Sequence, residues 1–254
     1  MQWLLATDLD NTLVGDDAAL DRLNERLRVA RSSQNAYLVY ATGRSRQSYG
    51  QLCTTTPLLE PDVLIAAVGT EIYQAGSEIP DAAWSAQLQD HWDRSLVQQV
   101  VTEQFTVLSP QTESEQRPFK ASYFLDPAIA DAVIADLTEA LQTEGIQAQF
   151  IYSGGKDLDI VPQTANKGKA LQFVRAQYGV DASQTVACGD SGNDIALFSE
   201  DNHRGILVGN AQPELLQWHH ANPSGDRYLA QAAYAAGILE GLVFFGFVAD
   251  QTLV

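Results

Sequence analysis

Three short apolar runs, residues 4–7, 37–40 and 63–68, read as strands. Between the first two, Leu20, Leu23 and Leu27 recur at helical spacing within 18–31, and a second helix is expected near Gln47. Strand, helix, strand, helix, strand crosses over into a parallel sheet. The alternation resumes late in the chain, with a helix over 169–178, a strand at 185–188, a helix at 195–198, a strand at 205–208 and a helix opened by Pro213 through Leu216. The stretch 237–249 is expected to be a last helix packed on the core.

The middle of the chain has a different rhythm. Trp84, Leu88, Trp92, Leu96, Val100 and Phe105 predict one long amphipathic helix, and Val133, Ile134, Leu137 and Leu141 predict another. Residues 119–125, 147–152 and 157–161 read as strands, the last two joined through Ser153-Gly154-Gly155. An α+β module is thus expected at 81–162, inserted into a parallel domain made of 1–80 and 163–254. Strand alternation puts Phe119, Ala121, Tyr123 and Leu125 on one face with Lys120 and Ser122 opposite, and Leu158 and Ile160 on one face with Asp157 and Asp159 opposite. The apolar face can carry the two helices. The polar face either meets solvent, as one-sided antiparallel sheets do, or presents hydrogen-bonding groups to a sugar.

Composition narrows the classes. The chain has 254 residues, 45% hydrophobic, enough to build a core and to exclude disorder. Its 15 Lys+Arg against 32 Asp+Glu leave a net charge of −17, which repels nucleic acids and anionic membranes. The opening Met1-Gln2-Trp3 is no basic, apolar leader, and the 237–249 stretch is broken by Glu240, so a soluble, cytoplasmic protein is expected. Two cysteines, Cys53 and Cys188, make no disulfide framework, and His219-His220 reads as a surface pair at a helix end. All four lysines, Lys120, Lys156, Lys167 and Lys169, fall in one stretch, where they could make a local positive pocket for an anion.

Candidate chemistry sits at strand ends. Asp8-Leu9-Asp10-Asn11-Thr12 follows the first strand directly, where parallel sheets place their ligand crevice. Two carboxylates side by side call for a cation or a shared proton, and among cations carboxylate plus phosphate oxygens suit Mg²⁺ best. Gly189-Asp190-Ser191-Gly192-Asn193-Asp194 follows another short strand, so Asp8, Asp10, Asp190 and Asp194 can converge on one ion. Thr42-Gly43-Arg44 after a strand, and Asn166-Lys167-Gly168 at a helix start, supply a hydroxyl, backbone amides and a lysine to offset a phosphoryl charge.

These four segments resemble the signature motifs of the haloacid dehalogenase superfamily of phosphohydrolases, and the insert resembles the α/β cap of its sugar-phosphatase branch. Within that branch the chain is similar over nearly its whole length to cyanobacterial and plant sucrose-phosphate phosphatases, through Tyr40-Ala41-Thr42-Gly43-Arg44-Ser45, Val68-Gly69-Thr70-Glu71-Ile72-Tyr73, Gly155-Lys156-Asp157-Leu158-Asp159 and Asn210-Ala211-Gln212-Pro213-Glu214. The fold so implied is a Rossmann-like parallel-sheet core with an inserted α/β cap. The resemblance implies Mg²⁺-dependent hydrolysis of sucrose 6-phosphate. Asp8 would be the nucleophile, Asp10 the acid and base, and Thr42 and Lys167 the holders of the phosphoryl oxygens. Mg²⁺ would sit on Asp8, Asp190 and the Asp10 backbone carbonyl, with Asp194 nearby. Substrate contacts would come from Thr42, Gly43, Arg44, Gly69, Glu71, Lys120, Ser122, Lys156, Asp157 and Asn193. The synthase that makes the substrate is an expected partner. Two alternatives stay open: a phosphatase of another sugar or glyceryl-sugar phosphate, and a regulatory module that binds a sugar phosphate.

Overall fold

The computed structural model describes residues 2–249; Met1 and residues 250–254 lie outside the described residues. The chain begins with β1 (Trp3–Thr7), α1 (Asp17–Gln34), β2 (Ala36–Ala41), α2 (Arg46–Cys53), β3 (Val63–Ala66) and β4 (Glu71–Gln74). The insert follows as α3 (Ala82–Gln87), α4 (Arg94–Gln104), β5 (Ser109–Pro110), β6 (Ala121–Phe124), α5 (Ala130–Thr143), β7 (Ala148–Ser153) and β8 (Asp157–Pro162). The chain then returns with α6 (Lys167–Tyr178), β9 (Thr185–Gly189), α7 (Ile195–Ser199), β10 (Arg204–Leu207), α8 (Pro213–Ala221), β11 (Arg227–Leu229) and α9 (Tyr234–Phe244).

Among the described residues, seven strands form one sheet in the order β11-β10-β9-β1-β2-β3-β4. All its pairings are parallel except β3 with β4. Strand order runs outward in both directions from β1, so a topological switch lies between β1 and β9, with Thr7 opposite Cys188. β1 is covered on both faces, which is why it reads as an unbroken apolar run. Trp3 and Leu5 pack with Leu20, Leu23 and Leu27 of α1 and Ile238 and Leu242 of α9, while Leu4 and Ala6 face Ala170, Leu171 and Val174 of α6. The second sheet, β5-β6-β8-β7, is antiparallel. Its apolar face, with Ala121, Tyr123, Leu158 and Ile160, packs on Val97, Val100 and Val101 of α4 and Leu137 and Leu141 of α5.

The single long helix expected from Trp84 to Phe105 is two helices. Asp81 caps α3 by accepting from Ala83 N and Trp84 N, and Asp93 caps α4 by accepting from Ser95 N and Leu96 N. His91, at φ 54°, lies in the left-handed region between them. The apolar stripe is continuous in sequence but serves two cores: Trp84 and Leu88 pack beside α6, whereas Val97, Val100 and Val101 pack under the second sheet. The third expected strand also stops early. Ala67 and Val68 take φ values of 50° and 60°, and their amides donate to Arg44 O and Thr42 O at 2.8 and 3.1 Å. That turn reverses the chain into β4, an antiparallel edge strand the sequence pattern missed. No helix among the described residues is long and apolar enough to cross a membrane.

Candidate active site

Four segments meet at the carboxyl ends of β1, β2 and β9. Asp8 follows β1, and its amide donates to Cys188 O at 3.0 Å, tying this end of the strand to β9. Asp190 follows β9, and Thr12 Oγ donates to its Oδ1 at 2.8 Å. Asp194 closes the next turn by accepting the Asp190 and Ser191 amides on Oδ2 at 3.0 and 3.1 Å. Lys167, first residue of α6, is fully buried and donates through Nζ to Asp8 Oδ1 (2.7 Å), Asp194 Oδ1 (2.6 Å) and Asn193 Oδ1 (2.9 Å). Asn166 caps that helix by accepting from Lys169 N at 2.7 Å, which fixes where the lysine starts. Gly69, at φ 93°, lets the turn after β3 press on this cap: a Cβ there would lie 2.3 Å from Asn166 C.

Asp8, Asp190 and Asp194 offer ligand oxygens within 4.8 Å of one another, all buried. Three carboxylates are thus gathered beside one ammonium, which bonds two of them, Asp8 and Asp194. Burial raises the Asp8 pKa well above its ordinary value; Lys167 opposes the shift, and Asp194 and Asp190 add to it. Asp190 is pushed up to about 7, first by burial and then by Asp194. Burial alone would depress Lys167, but the Asp194 and Asp8 charges outweigh it and the net shift is upward. Excess negative charge in a buried, all-oxygen cluster is what a hard divalent cation offsets, so these residues fit one.

Beside the cluster lies a cleft of about 470 Å³. Asp8, Asp10, Gly43, Arg44, Asp190 and Asn193 form its wall on the larger sheet, and Gln111, Glu115, Lys120, Asp157 and Asp159 face them from the insert. Asp10 is turned away from the three-carboxylate cluster; both its oxygens are held by Arg44 at 2.7 Å. Lys120 is buried, with Nζ 3.4 Å from Gly43 O, Glu115 Oε2 and Asp159 Oδ1. Asp157 accepts from Gln111 Nε2 at 3.1 Å, and its pKa is raised, chiefly by burial, against the pull of Lys156.

The other residues named from sequence take different places. Thr42 is fully buried beneath the wall, its Oγ accepting from Arg44 N at 3.1 Å. Ser122 lies behind Asp159, donating to its Oδ1 at 2.6 Å. Gly69 backs onto α6 as described, and Glu71 is buried against Arg117 and Tyr73, at 2.8 Å from each, rather than facing the cleft. Lys156 is exposed in the β7–β8 turn, off the cleft wall. Gln111, Glu115 and Arg117 join cleft or insert to the rest without belonging to any of the sequence motifs. They lie in or beside the irregular segment between β5 and β6, where no periodicity marks a face; its polar composition between two patterned elements is the available signal.

Comparison with known proteins agrees in scale with this architecture. The family described as sucrose-6F-phosphate phosphohydrolase matches residues 1–246. The sucrose-phosphatase of Synechocystis sp. PCC6803, solved in complex with sucrose and phosphate, is similar at 47% identity and a TM-score of 0.88, over 96% of this chain and 98% of that one. Sucrose-phosphatase 2 of Nicotiana tabacum is 40% identical over 94% of this chain, which spans 58% of that protein's length. Mannosylfructose-phosphate phosphatase of Agrobacterium fabrum is 34% identical over 96% of both chains.

Proposed function

The chain belongs to the sucrose-6F-phosphate phosphohydrolase family, on the fold of haloacid dehalogenase-like hydrolases, and from that premise we propose that it hydrolyses sucrose 6-phosphate to sucrose and phosphate through an aspartyl-phosphate on Asp8. The observation that carries the proposal is the buried Asp8–Lys167 pair at the floor of a polar cleft whose volume of about 470 Å³ falls within the small-molecule range.

Lys167 holds Asp8 Oδ1 and leaves Oδ2 to attack phosphorus. The new P–O bond to Asp8 forms as the P–O bond to the sugar breaks, and Asp10 gives the departing oxygen its proton. Asp10 then takes a proton from the water that attacks the aspartyl-phosphate, which releases phosphate and restores Asp8. Thr42 Oγ accepts from the Arg44 amide, so its own proton is left to give to a phosphoryl oxygen. Asp8 and Asp190, with the Asp10 carbonyl and Asp194 close by, would hold Mg²⁺, a hard ion suited to an all-oxygen set, which when bound offsets phosphoryl charge.

In this proposal residues 81–162 are the cap that selects the sugar over a core of 1–80 and 163–254. Lys120, Asp157, Asp159, Gln111 and Glu115 supply the donors and acceptors that sugar hydroxyls need. The chain would act in the cytoplasm on the product of a sucrose-phosphate synthase. The Agrobacterium relative supports a second reading, a phosphatase of another disaccharide phosphate.

The test is phosphate release with Mg²⁺ from sucrose 6-phosphate, mannosylfructose phosphate and glucose 6-phosphate, with Asp8→Asn as control. A preference of orders of magnitude for sucrose 6-phosphate supports the proposal; a preference for mannosylfructose phosphate favours the second reading. Turnover undiminished in Asp8→Asn would remove the mechanism.

A further inference from the structure

The Asp10 side chain lines the cleft and is 45% exposed, yet one guanidinium takes both of its oxygens: Arg44 Nε donates to Oδ2 and Nη2 to Oδ1, each at 2.7 Å. A bidentate pair fixes the orientation of a carboxylate as well as its distance. Arg44 is itself held on three sides. Its amide donates to Thr42 Oγ at 3.1 Å, its carbonyl accepts from Ala67 N at 2.8 Å, and its Nη1 donates to Ser48 Oγ at 3.0 Å. Ser48 lies in the first turn of α2, whose cap Ser45 accepts from Ser48 N at 3.2 Å. The bracing thus runs from the capped helix through the guanidinium to the carboxylate. Among the described residues, no other group donates to the Asp10 carboxylate.

An aspartate exposed to this degree and left to itself samples several rotamers. Proton transfer needs the heavy atoms within about 2.6–3.2 Å at the moment of bond breaking. We infer that Arg44 is the positioning residue for Asp10, a bidentate brace that aims its carboxylate at the ester oxygen and, later, at the attacking water. The inference rests on the acid–base role given to Asp10 above. Each carboxylate oxygen keeps a lone pair beyond the one facing Arg44, so proton exchange is not blocked. With its guanidinium occupied by Asp10 and Ser48, Arg44 acts on turnover rather than on substrate affinity.

The test uses leaving groups of different basicity. A sugar oxygen needs a proton to depart, whereas 4-nitrophenolate departs without one. In Arg44→Met, kcat/KM for the sugar phosphate should fall about 10²-fold or more, the scale of general acid catalysis, while that for 4-nitrophenyl phosphate falls less than about tenfold. KM for the sugar phosphate should stay within about threefold of wild type. Arg44→Lys, which keeps the charge but not the fork, should lie between the two. Ser48→Ala should show the same selective pattern in milder form, and Arg44→Met added to Asp10→Asn should cost little beyond Asp10→Asn alone.

Equal losses in kcat/KM on both esters, or a raised KM with kcat preserved, would overturn the inference, as would additive losses in the double variant. Asp10→Asn separates this outcome from failure of the acid–base role itself. If Asp10→Asn loses kcat/KM on both esters alike, the proposed acid role of Asp10 falls; if its kcat/KM shows the selective loss and that of Arg44→Met does not, only the brace falls.

Discussion

Arg117, in the segment between β5 and β6 of the insert, donates through Nε to Glu71 of β4 at 2.8 Å, and Glu71 is 3% exposed. Tyr73 donates to the other Glu71 oxygen at 2.8 Å, so a buried carboxylate at the edge of the larger sheet is satisfied from both sides. Two more polar contacts cross the same gap: Ser45 Oγ to Glu115 Oε1 at 3.0 Å and Lys120 Nζ to Gly43 O at 3.4 Å. One short segment of the insert, residues 115–120, therefore carries three polar ties to the edge and loops of the larger sheet.

Removing the tie exposes its role. Arg117→Met leaves the Glu71 carboxylate buried with a single hydroxyl partner, at a cost of about 1–3 kcal/mol. The expected outcome is a lower Tm and a KM for the sugar phosphate several-fold higher, because the insert's wall of the cleft loses its anchor. Glu71→Gln, which keeps a hydrogen-bonding side chain, should lose less of both. Steady-state kinetics alongside thermal melts check this, and an unchanged KM in Arg117→Met would mean that the seat does not depend on the pair.

The carboxylate cluster predicts a stability signature of metal binding. Chelation should abolish phosphate release and lower Tm, and a divalent ion at about 100 times its Kd should restore about 2.7 kcal/mol. Lys167→Met removes the cluster's ammonium, so this variant should melt far below wild type in chelator and gain more Tm than wild type from added Mg²⁺. Calorimetry with and without the ion reads both, and identical melts in chelator and Mg²⁺ would count against a bound cation.

His203 predicts an acid limit. It is buried, its Nε2 meets Leu197 O, and its Nδ1 has no partner. Burial depresses its pKa, with Arg175 adding to the shift and Leu197 O and Asp201 opposing it. A histidine depressed in the folded state leaves the unfolded chain holding the extra proton. Its contribution is full above the unfolded value of about 6.5 and is lost as pH falls below it, with a slope of up to ~1.4 kcal/mol per pH unit. Urea unfolding at pH 7 and pH 5 should show a larger drop for wild type than for His203→Gln; equal drops would assign the acid sensitivity elsewhere.

Two glycines should respond oppositely to alanine. A Cβ on Gly168, in the first turn of α6, would lie 2.0 Å from Ala196 O, so Gly168→Ala should destabilise by several kcal/mol, about 3 or more, as α6 is pushed off α7. Gly50, inside α2, has nothing within 4 Å of an added Cβ, and Gly50→Ala should stabilise by about 0.5–1 kcal/mol. Denaturant melts of the pair measure the contrast.

Whatever local geometry can encode is legible along the chain. The parallel strands around β1, the helices α1 and α6, the inward face of β6 and β8, and the acidic segments at the ends of β1 and β9 follow from side-chain periods of 2 and 3.6 and from motifs of adjacent residues. The remaining features follow from contacts between distant segments. The stripe from Trp84 to Phe105 breaks because its halves lie against different cores, and β4 turns antiparallel because the amides of Ala67 and Val68 are claimed by carbonyls of the loop after β2. Glu71 turns toward Arg117, 46 residues away, and Asp10 toward Arg44, 34 residues away. Pairs at such separations depend on how the strands are ordered and how the insert is seated, and no periodicity along the chain carries that information.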